Sequence, residues 1–204
     1  MEIIKPYYVI ETSVDKEVIY KDLEMWGRTA YKSEDLITES SAEKFLAGIV
    51  KRGHESVLEH VSITVRFICD RGVTHELVRH RLVAYTQEST RYCNYNKKGV
   101  VFIEPFFWRE EPHQYNCWLS VVEHAERAYN YLINNGATPQ EARSVLPNSL
   151  KTEIVATANI REWRHILRLR CSKNAHPQMR ELMVPLLKEL KNVLPVLFED
   201  IPEE

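Results

Sequence analysis

Residues 61–67 show a strict alternation of apolar and polar side chains, and this pattern constrains the fold more than any other local feature. The apolar members are Val61, Ile63, Val65 and Phe67, and the polar members between them are Ser62, Thr64 and Arg66. Because successive side chains of a strand point to opposite faces of the sheet, a period of two predicts a strand with one buried face. Further strands are predicted over residues 3–10, 100–103 and 150–158.

The rest of the chain is dominated by helical periodicity. Apolar residues three and four apart, or a capped start, predict helices over residues 41–52, 72–83, 112–135, 159–171 and 177–198. Gly53 is expected to end the first of these helices and Pro185 to kink the last. Residues 138–141 match a capping box and predict a helix that stops near Pro147, whereas residues 84–99 are predicted to form a polar loop. Long helices with few scattered strands and no linker predict one α+β domain over residues 1–204.

Charge and cysteine usage narrow the functional classes. The 204 residues carry 27 Lys and Arg against 29 Asp and Glu, a net charge of −2, which argues against a dedicated DNA- or RNA-binding domain. A compact anionic ligand needs only a local positive site. The four cysteines form no Cys-x-x-Cys pair, so reduced thiols are expected. No signal-peptide core and no apolar run near about 20 residues occur, so a cytoplasmic location is expected.

Arginine is concentrated in two segments. One holds Arg79, Arg81 and Arg91, and the other holds Arg161, Arg164, Arg168 and Arg170. Guanidinium groups make planar, two-point contacts with phosphates and with the carbonyl groups of heterocycles. On a helix that starts at Asn159, Arg170 falls on the apolar stripe of Trp163, while Arg164 and Arg168 turn elsewhere. An arginine on an apolar stripe needs a partner, which is either an internal salt bridge or a buried anion or heterocycle.

Residues 79–92 offer a rich set of hydrogen-bonding groups at the end of a predicted helix. Their Arg, His, Gln, Glu, Ser and Thr side chains suit the phosphate, ribose and base edges of a nucleotide, although a solvated loop has a similar composition. The capped start at Asn159 adds free backbone N–H groups and the positive end of a helix dipole. No Gly-x-Gly-x-x-Gly or Walker loop occurs, so a dinucleotide would bind outside a Rossmann turn.

A metal site is not expected from the histidines. His54-Glu55 begins a near match to the zincin motif His-Glu-x-x-His, but Leu58 stands where the second histidine is required. His75 and His80 are five residues apart, which is a poor spacing for one helical face.

Four blocks of residues together resemble the flavin-dependent thymidylate synthase family. The family hallmark, Arg-His-Arg followed by seven residues and Ser, is matched by Arg79-His80-Arg81 and Ser89. The other blocks lie, in the expected order, at residues 53–60, 142–147 and 159–170. Departures from common family residues are Ala30 and Ala84 in place of Ser, Thr86 in place of Asn, and Gln87 in place of Glu.

The resemblance implies both a fold and an activity. The fold would be a small, mostly antiparallel sheet packed by long helices. The activity would be reductive methylation of dUMP to dTMP, with methylenetetrahydrofolate as carbon donor and NADPH-reduced FAD as hydride carrier. A homotetramer with active sites shared between subunits is implied, without nucleic-acid polymer or membrane as partner. An RNA-binding module and a flavin-independent nucleotide hydrolase are the alternatives that the same arginine-rich segments leave open.

The site residues implied by the resemblance fall into two sets. FAD would contact His54, Ser56, Glu59, Arg79, His80, Arg81, Gln87, Asn159, Ile160, Arg161 and His165. The substrate would contact Glu76, Leu77, Val78, Arg79, Gln87, Glu88, Ser89, Thr90, Arg91, Arg143 and Arg170. Arg170 is expected to be the catalytic residue, because a guanidinium cannot act as a base but can stabilise negative charge on the uracil and raise electron density at its C5.

Overall fold

The computed structural model describes residues 1–97 and 99–203, in which helices and short strands alternate irregularly. The strands are β1 Glu2–Ile4, β2 Tyr7–Ile10, β3 Ser62–Asp70, β4 Ala84–Gln87, β5 Val101–Ile103 and β6 Lys151–Asn159. The helices are α1 Lys16–Thr29, α2 Ser41–Arg52, α3 Arg71–Leu77, α4 Pro112–Asn134, α5 Pro139–Ala142, α6 Ile160–Arg170, α7 Pro177–Val193 and α8 Pro195–Phe198. Short 3-10 turns lie at Glu34–Leu36, Glu55–His60, Phe106–Trp108 and Arg143–Val145.

The main sheet has four strands in the order β2-β3-β6-β4, and β1 pairs in parallel with β5 in a separate small sheet. The alternation that predicts β3 is confirmed, since Ile63, Val65 and Phe67 are all buried. The predicted α+β class, with a small and mostly antiparallel main sheet and long helices, is also confirmed. Within the described residues, no helix combines the length and the apolarity that a membrane crossing requires.

The described chain forms two compact units, each built from three segments. The first unit comprises Met1–Tyr8, Arg66–Arg79 and Tyr85–Val155, and the second comprises Val9–Val65, His80–Ala84 and Ala156–Glu204. Neither unit is one continuous stretch of chain, which explains why the sequence shows no linker. The single domain over residues 1–204 stays a prediction.

The first unit has its core beneath helix α4. Val122, Ala125 and Tyr129 lie on one face of this helix and are buried with Phe102 of β5. Their spacing of three, four and seven residues is that of one helical stripe. The predicted capping box ahead of α5 is confirmed, because the Thr138 backbone N–H donates to the Glu141 carboxylate at 2.8 Å.

The second unit holds α1, α2, α6, α7 and α8. Each of its longer helices buries large side chains completely; examples are Leu23, Leu46, Trp163 and Leu187. The Trp163 indole N–H donates to the Ile63 carbonyl at 2.9 Å, which ties α6 to the start of β3. Gly53 ends α2 with φ at 69°, as predicted for a left-handed cap.

Two predicted elements are interrupted by proline. The strand expected over residues 3–10 is split into β1 and β2 at Lys5-Pro6, because proline offers no N–H to a sheet. The helix expected over residues 177–198 stops at Val193, and Leu194, with φ −127° and ψ 59°, leaves the helical region immediately before Pro195. A residue before proline is sterically disfavoured in helical geometry, so a new short helix starts at the proline itself.

The chain around residues 72–87 also differs from its prediction. The helix expected over residues 72–83 ends at Leu77, and Val78 and Leu82, expected on its apolar face, are exposed. The Leu77 carbonyl instead accepts a hydrogen bond from the Tyr85 hydroxyl at 2.6 Å. Tyr85 lies in β4, a strand within the segment predicted as a loop. Helix α1, which Asp15 caps through hydrogen bonds from two backbone N–H groups, is not foreseen by the sequence analysis.

Candidate active site

Helix α6 begins at a defined cap and presents the first of the residues expected at the flavin. The Asn159 Oδ1 accepts a hydrogen bond from the Glu162 backbone N–H at 2.9 Å, which confirms the predicted cap. Ile160 is buried, and its N–H donates to the Val61 carbonyl at 2.9 Å. Arg161 is exposed. The start of the helix is therefore fixed by the chain itself while the Arg161 guanidinium faces solvent.

The turn Glu55–His60 carries more of these residues on its outer side. His54, Ser56 and Glu59 are exposed, whereas the two residues before Glu59 are buried and anchor the turn. The Glu59 carboxylate meets the Arg161 guanidinium at 2.5 Å. An exposed ion pair of this kind contributes only about 0–1 kcal/mol, so its two partners can exchange it for contacts with a ligand at little cost.

His80 is the buried member of the Arg-His-Arg hallmark and forms a cluster with two residues of α6. Its ring lies edge-on to that of exposed His165, with centroids 5.7 Å apart. The Arg170 Nε–H donates to His80 Nε2 at 3.0 Å. Burial, together with the nearby charges of Arg170 and His165, lowers the pKa of His80 to about 4. The imidazole is therefore neutral at physiological pH and acts as the acceptor that orients Arg170.

The same cluster includes a carboxylate. Glu162 lies 3.8 Å from His80 Nδ1, and ligand-capable atoms of His80, Glu162 and His165 all lie within 4.8 Å of one another. Because His80 Nε2 is engaged by Arg170, the ring proton is expected on Nδ1, facing Glu162. The expectation that the protein uses no metal stays a prediction.

The two arginines of the hallmark point outward. Arg79 and Arg81 are exposed on either side of buried His80, and the Arg79 Nε–H donates to the His75 carbonyl at 3.3 Å. The motif therefore combines a buried neutral acceptor with two solvent-facing cations, which is a suitable arrangement for an anionic ligand.

In the first unit, the side chains of Gln87 and Glu88 form hydrogen bonds within the protein. The Gln87 amide donates to the hydroxyls of Thr74 at 3.0 Å and Thr152 at 3.3 Å. A glutamate, the common family residue here, could not donate these bonds. The Glu88 carboxylate accepts from the Tyr95 hydroxyl at 2.9 Å and from the Lys151 ammonium at 3.1 Å.

The segment after Glu88 is a tight turn that displays the next substrate candidates. The Ser89 hydroxyl accepts a hydrogen bond from the Arg91 backbone N–H at 3.3 Å. Thr90 is buried, and its hydroxyl accepts from the Arg143 Nη1 at 3.1 Å. Arg91 and Arg143 are exposed. This part of the structure therefore brings together Ser89, Thr90, Arg91 and Arg143, and their contact with the substrate stays a prediction.

Three further substrate candidates lie at the end of α3. Leu77 is fully buried, so a ligand could reach only its backbone, and its carbonyl is already bonded to Tyr85. Val78 is exposed and Glu76 is half-buried. This helix end therefore offers side chains at positions 76 and 78 but not at 77.

The burial of the arginines on α6 corrects the sequence analysis. Arg164, expected to turn away from the apolar stripe, is fully buried, and Arg170 is only half-buried at the last residue of the helix. A single apolar stripe is the wrong description, because α6 is buried around most of its circumference. Arg164 is paired with Glu55 and Asp200, and neither residue is among the predicted partners of an arginine. The sequence signals that could have indicated these partners are that Glu55 follows His54 and that Asp200 lies in an acidic segment near the C-terminus.

The family follows from comparison with known proteins. The model described as Thymidylate synthase complementing protein matches residues 14–196. The chain belongs to this family. Flavin-dependent thymidylate synthases from Pyrococcus furiosus and Geobacter sulfurreducens are 36% and 35% identical to it, covering 81% and 80% of this chain and 69% and 71% of theirs. The enzyme of the same name from Corynebacterium glutamicum is 32% identical over 96% of this chain and 84% of its own length.

Solved structures agree on the fold of this thymidylate synthase family member. A UMP/dUMP methylase from Streptomyces cacaoi, bound with 5-Br dUMP, superimposes with a TM-score of 0.82 over 98% of this chain and 96% of that chain, at 22% identity. Neither an RNA-binding module nor a nucleotide hydrolase is supported by these comparisons.

The residues of the second unit fit a flavin dinucleotide by their chemistry. Arg161 offers a cation for a pyrophosphate, and the start of α6 adds the positive end of the helix dipole. The Ile160 and Glu162 N–H groups are already bonded to Val61 and Asn159. Exposed His54, Ser56 and His165 supply donors and a stackable ring for the heterocycle and ribitol hydroxyls. The donor set is therefore appropriate for FAD without a Rossmann turn.

Proposed function

We propose that this protein converts dUMP to dTMP, taking the carbon from methylenetetrahydrofolate and reducing equivalents from NADPH. The observation that carries this proposal is the family match over residues 14–196, within which the Arg-His-Arg hallmark and Ser89 are intact. FAD, when bound, supplies the hydride chemistry that no side chain of the protein can perform.

Residues of the second unit would supply most of the flavin contacts. His54, Ser56 and Glu59 present one set of contacts, and Asn159, Ile160, Arg161 and His165 present another. Arg79, His80, Arg81 and Gln87 complete the set that the family resemblance assigns. Ile160 would contribute through its backbone, since its side chain is fully buried.

Arginines would bind the nucleotide. Arg91 and Arg143 are exposed cations held beside the turn at Ser89 and Thr90, and guanidinium groups suit a phosphate. Ser89 is assigned to phosphate binding rather than to covalent attack, because a nucleophilic serine needs an adjacent base.

Arg170 would activate the uracil ring. A guanidinium group is a permanent cation in proteins and cannot act as a base, so Arg170 provides a fixed positive charge. It can therefore stabilise negative charge as N3 of the uracil ionises, which raises the electron density at C5. Neutral His80 accepts the Arg170 Nε–H at 3.0 Å and so helps to fix the orientation of the guanidinium.

Further properties follow from the same proposal. We place the enzyme in the cytoplasm as a homotetramer whose subunits share active sites, with the whole chain acting as one domain. Methylenetetrahydrofolate would be its folate co-substrate.

The direct test is dTMP formation from dUMP, methylenetetrahydrofolate and NADPH, measured with and without added FAD. We expect product only when FAD is bound, and we expect the purified protein to show a flavin absorption band. A colourless protein that takes up no FAD on titration would contradict the proposal. RNA affinity that falls steeply with salt, together with no dTMP, would favour an RNA-binding module instead.

A further inference from the structure

Arg164 on helix α6 is a fully buried cation with an extensive set of hydrogen bonds. Its two Nη groups donate to the two carboxylate oxygens of Asp200, both at 2.8 Å. Nε and Nη2 donate to the Glu55 Oε1 at 3.1 and 2.9 Å. Nη1 also donates to the Leu197 carbonyl. The planar guanidinium thus fixes the direction of every partner, as a flexible ammonium could not.

These bonds join three segments of the second unit. Glu55 begins the turn Glu55–His60, Arg164 lies in the middle of α6, and Leu197 and Asp200 belong to the C-terminal segment. Arg168, one helical turn further along α6, reinforces the join through Asp200 at 2.8 Å. We call Arg164, Glu55 and Asp200 the clamp.

The clamp lies directly behind residues assigned to the flavin. Glu55 stands between His54 and Ser56, which are both exposed, and its own side chain is drawn inward to Arg164. Arg164 itself stands between Arg161 and His165 on α6. The clamp therefore connects the backbone of one group of flavin residues with the backbone of the other.

We infer that Arg164 is a positioning residue for the flavin site, and that the C-terminal segment takes part in flavin binding through Asp200. The inference rests on the proposed function and identifies what holds its cofactor-binding segments together. Without Arg164, the Glu55 and Asp200 carboxylates share only Arg168, whose Nη2 lies 3.7 Å from Glu55 Oε1 and 2.8 Å from Asp200 Oδ2. Arg168 is exposed and makes one contact where Arg164 makes two or more, so the carboxylates repel each other more strongly and the turn moves away from α6. Small displacements of a binding site are costly, and a shift of about 1 Å can cost a hundredfold in function.

The experiment compares the wild-type protein with the variants Arg164→Lys, Arg164→Met and Asp200→Asn. Apoprotein is titrated with FAD at a temperature well below each variant's thermal unfolding midpoint, and binding is followed by flavin fluorescence. The rate of dTMP formation is then measured at rising FAD concentration. We expect the FAD dissociation constant to rise by about tenfold or more, with Arg164→Lys no better than Arg164→Met. Because the clamp touches neither substrate nor reacting atoms, saturating FAD should restore kcat and leave the KM for dUMP unchanged.

Leu23→Ala serves as the matched control for a purely structural effect. Leu23 is fully buried in α1 of the same unit and belongs to none of the clamp's contacts, so its loss lowers stability alone. Equal weakening of FAD binding by Leu23→Ala at a matched folded fraction would overturn the inference, as would unchanged FAD affinity in the clamp variants. Both results leave the proposed function intact if wild-type protein binds FAD. A wild-type protein that binds none would sink the proposed function and the inference with it.

Discussion

At the scale of single residues, a substitution at Arg170 should distinguish the methylation of dUMP from the reduction of the flavin by NADPH. Arg170→Ala removes the cation that we propose acts on the uracil but leaves unchanged the α6 residues that we propose bind the flavin. We expect NADPH to reduce the bound flavin at close to the wild-type rate while dTMP formation falls by about 10²–10³-fold, the usual cost of losing one charge-stabilising donor. Stopped-flow flavin absorbance and product assay measure the two steps on one sample.

The matched variant for that experiment is Arg170→Lys. It keeps the positive charge but loses the planar Nε–H that bonds to His80 at 3.0 Å, so we expect only partial recovery of dTMP formation. Full activity in Arg170→Ala would remove this residue from the mechanism. Equal loss of flavin reduction would assign it to cofactor binding instead.

His80 makes a second prediction at this scale, which concerns stability against pH. Burial and the nearby Arg170 and His165 lower its pKa from 6.5 to about 4. Between those values the unfolded chain binds a proton that the folded chain does not, so the free energy of unfolding falls as the pH drops through this window. The contribution of His80 is fully present above the window, and about 3 kcal/mol of it is lost across the window.

Urea unfolding of the apoprotein between about pH 7 and about pH 4 measures this dependence. Other groups titrate in the same range, so the informative quantity is the difference from His80→Gln, which has no titrating ring. We expect the variant's stability to fall less steeply with decreasing pH. Parallel curves for the two proteins would show that His80 titrates normally.

At the scale of elements, the sequence predicts those parts whose signals are local. Strand β3 follows from its alternation, and helix α2 from its periodicity and its closing glycine. Helix α3 is overpredicted because the Tyr85 hydroxyl bonds to the Leu77 carbonyl at its end, a contact that local pattern cannot contain. Strand β4 is not predicted for a related reason, since its pairing partner β6 comes from a distant part of the chain.

The candidate site shows the same division between local and distant information. The cap at Asn159 depends on neighbouring residues and is correctly predicted. Burial of Arg164 depends on Glu55 and Asp200, which lie 109 and 36 residues away in sequence. A helical projection therefore indicates Arg170 as the arginine that needs a buried partner, although Arg164 is the more deeply buried of the two.

The start of α6 gives a prediction at the element scale. Asn159→Ala removes the side-chain acceptor that bonds to the Glu162 N–H at 2.9 Å, so we expect a loss of about 1 kcal/mol in the free energy of unfolding. Asn159→Asp keeps an acceptor and adds a favourable charge at the helix N-terminus, so it should retain stability. Denaturant unfolding of apoprotein measures both, and an Asp variant as unstable as the Ala variant would argue against the cap.

At the scale of the whole molecule, a net charge of −2 is compatible with binding an anionic nucleotide because the arginines are distributed unevenly. Several acidic residues are used as partners for arginine, as Glu59 is for Arg161 and Glu55 and Asp200 are for Arg164. Other arginines are exposed: Arg79 and Arg81 of the hallmark, and Arg91 after it. The molecule thus concentrates positive charge locally without the extended basic surface that a polymer would require.

The proposed sharing of active sites between subunits predicts that activity depends on assembly. Light scattering should give a particle of four times the 24.0 kDa chain mass, and dilution should lower dTMP formation per chain as that particle dissociates, since mass action links the two. FAD and dUMP should shift dissociation to lower protein concentration by binding only the assembled form. Undiminished activity per chain in a sample that is monomeric by light scattering would show instead that one chain carries a complete site.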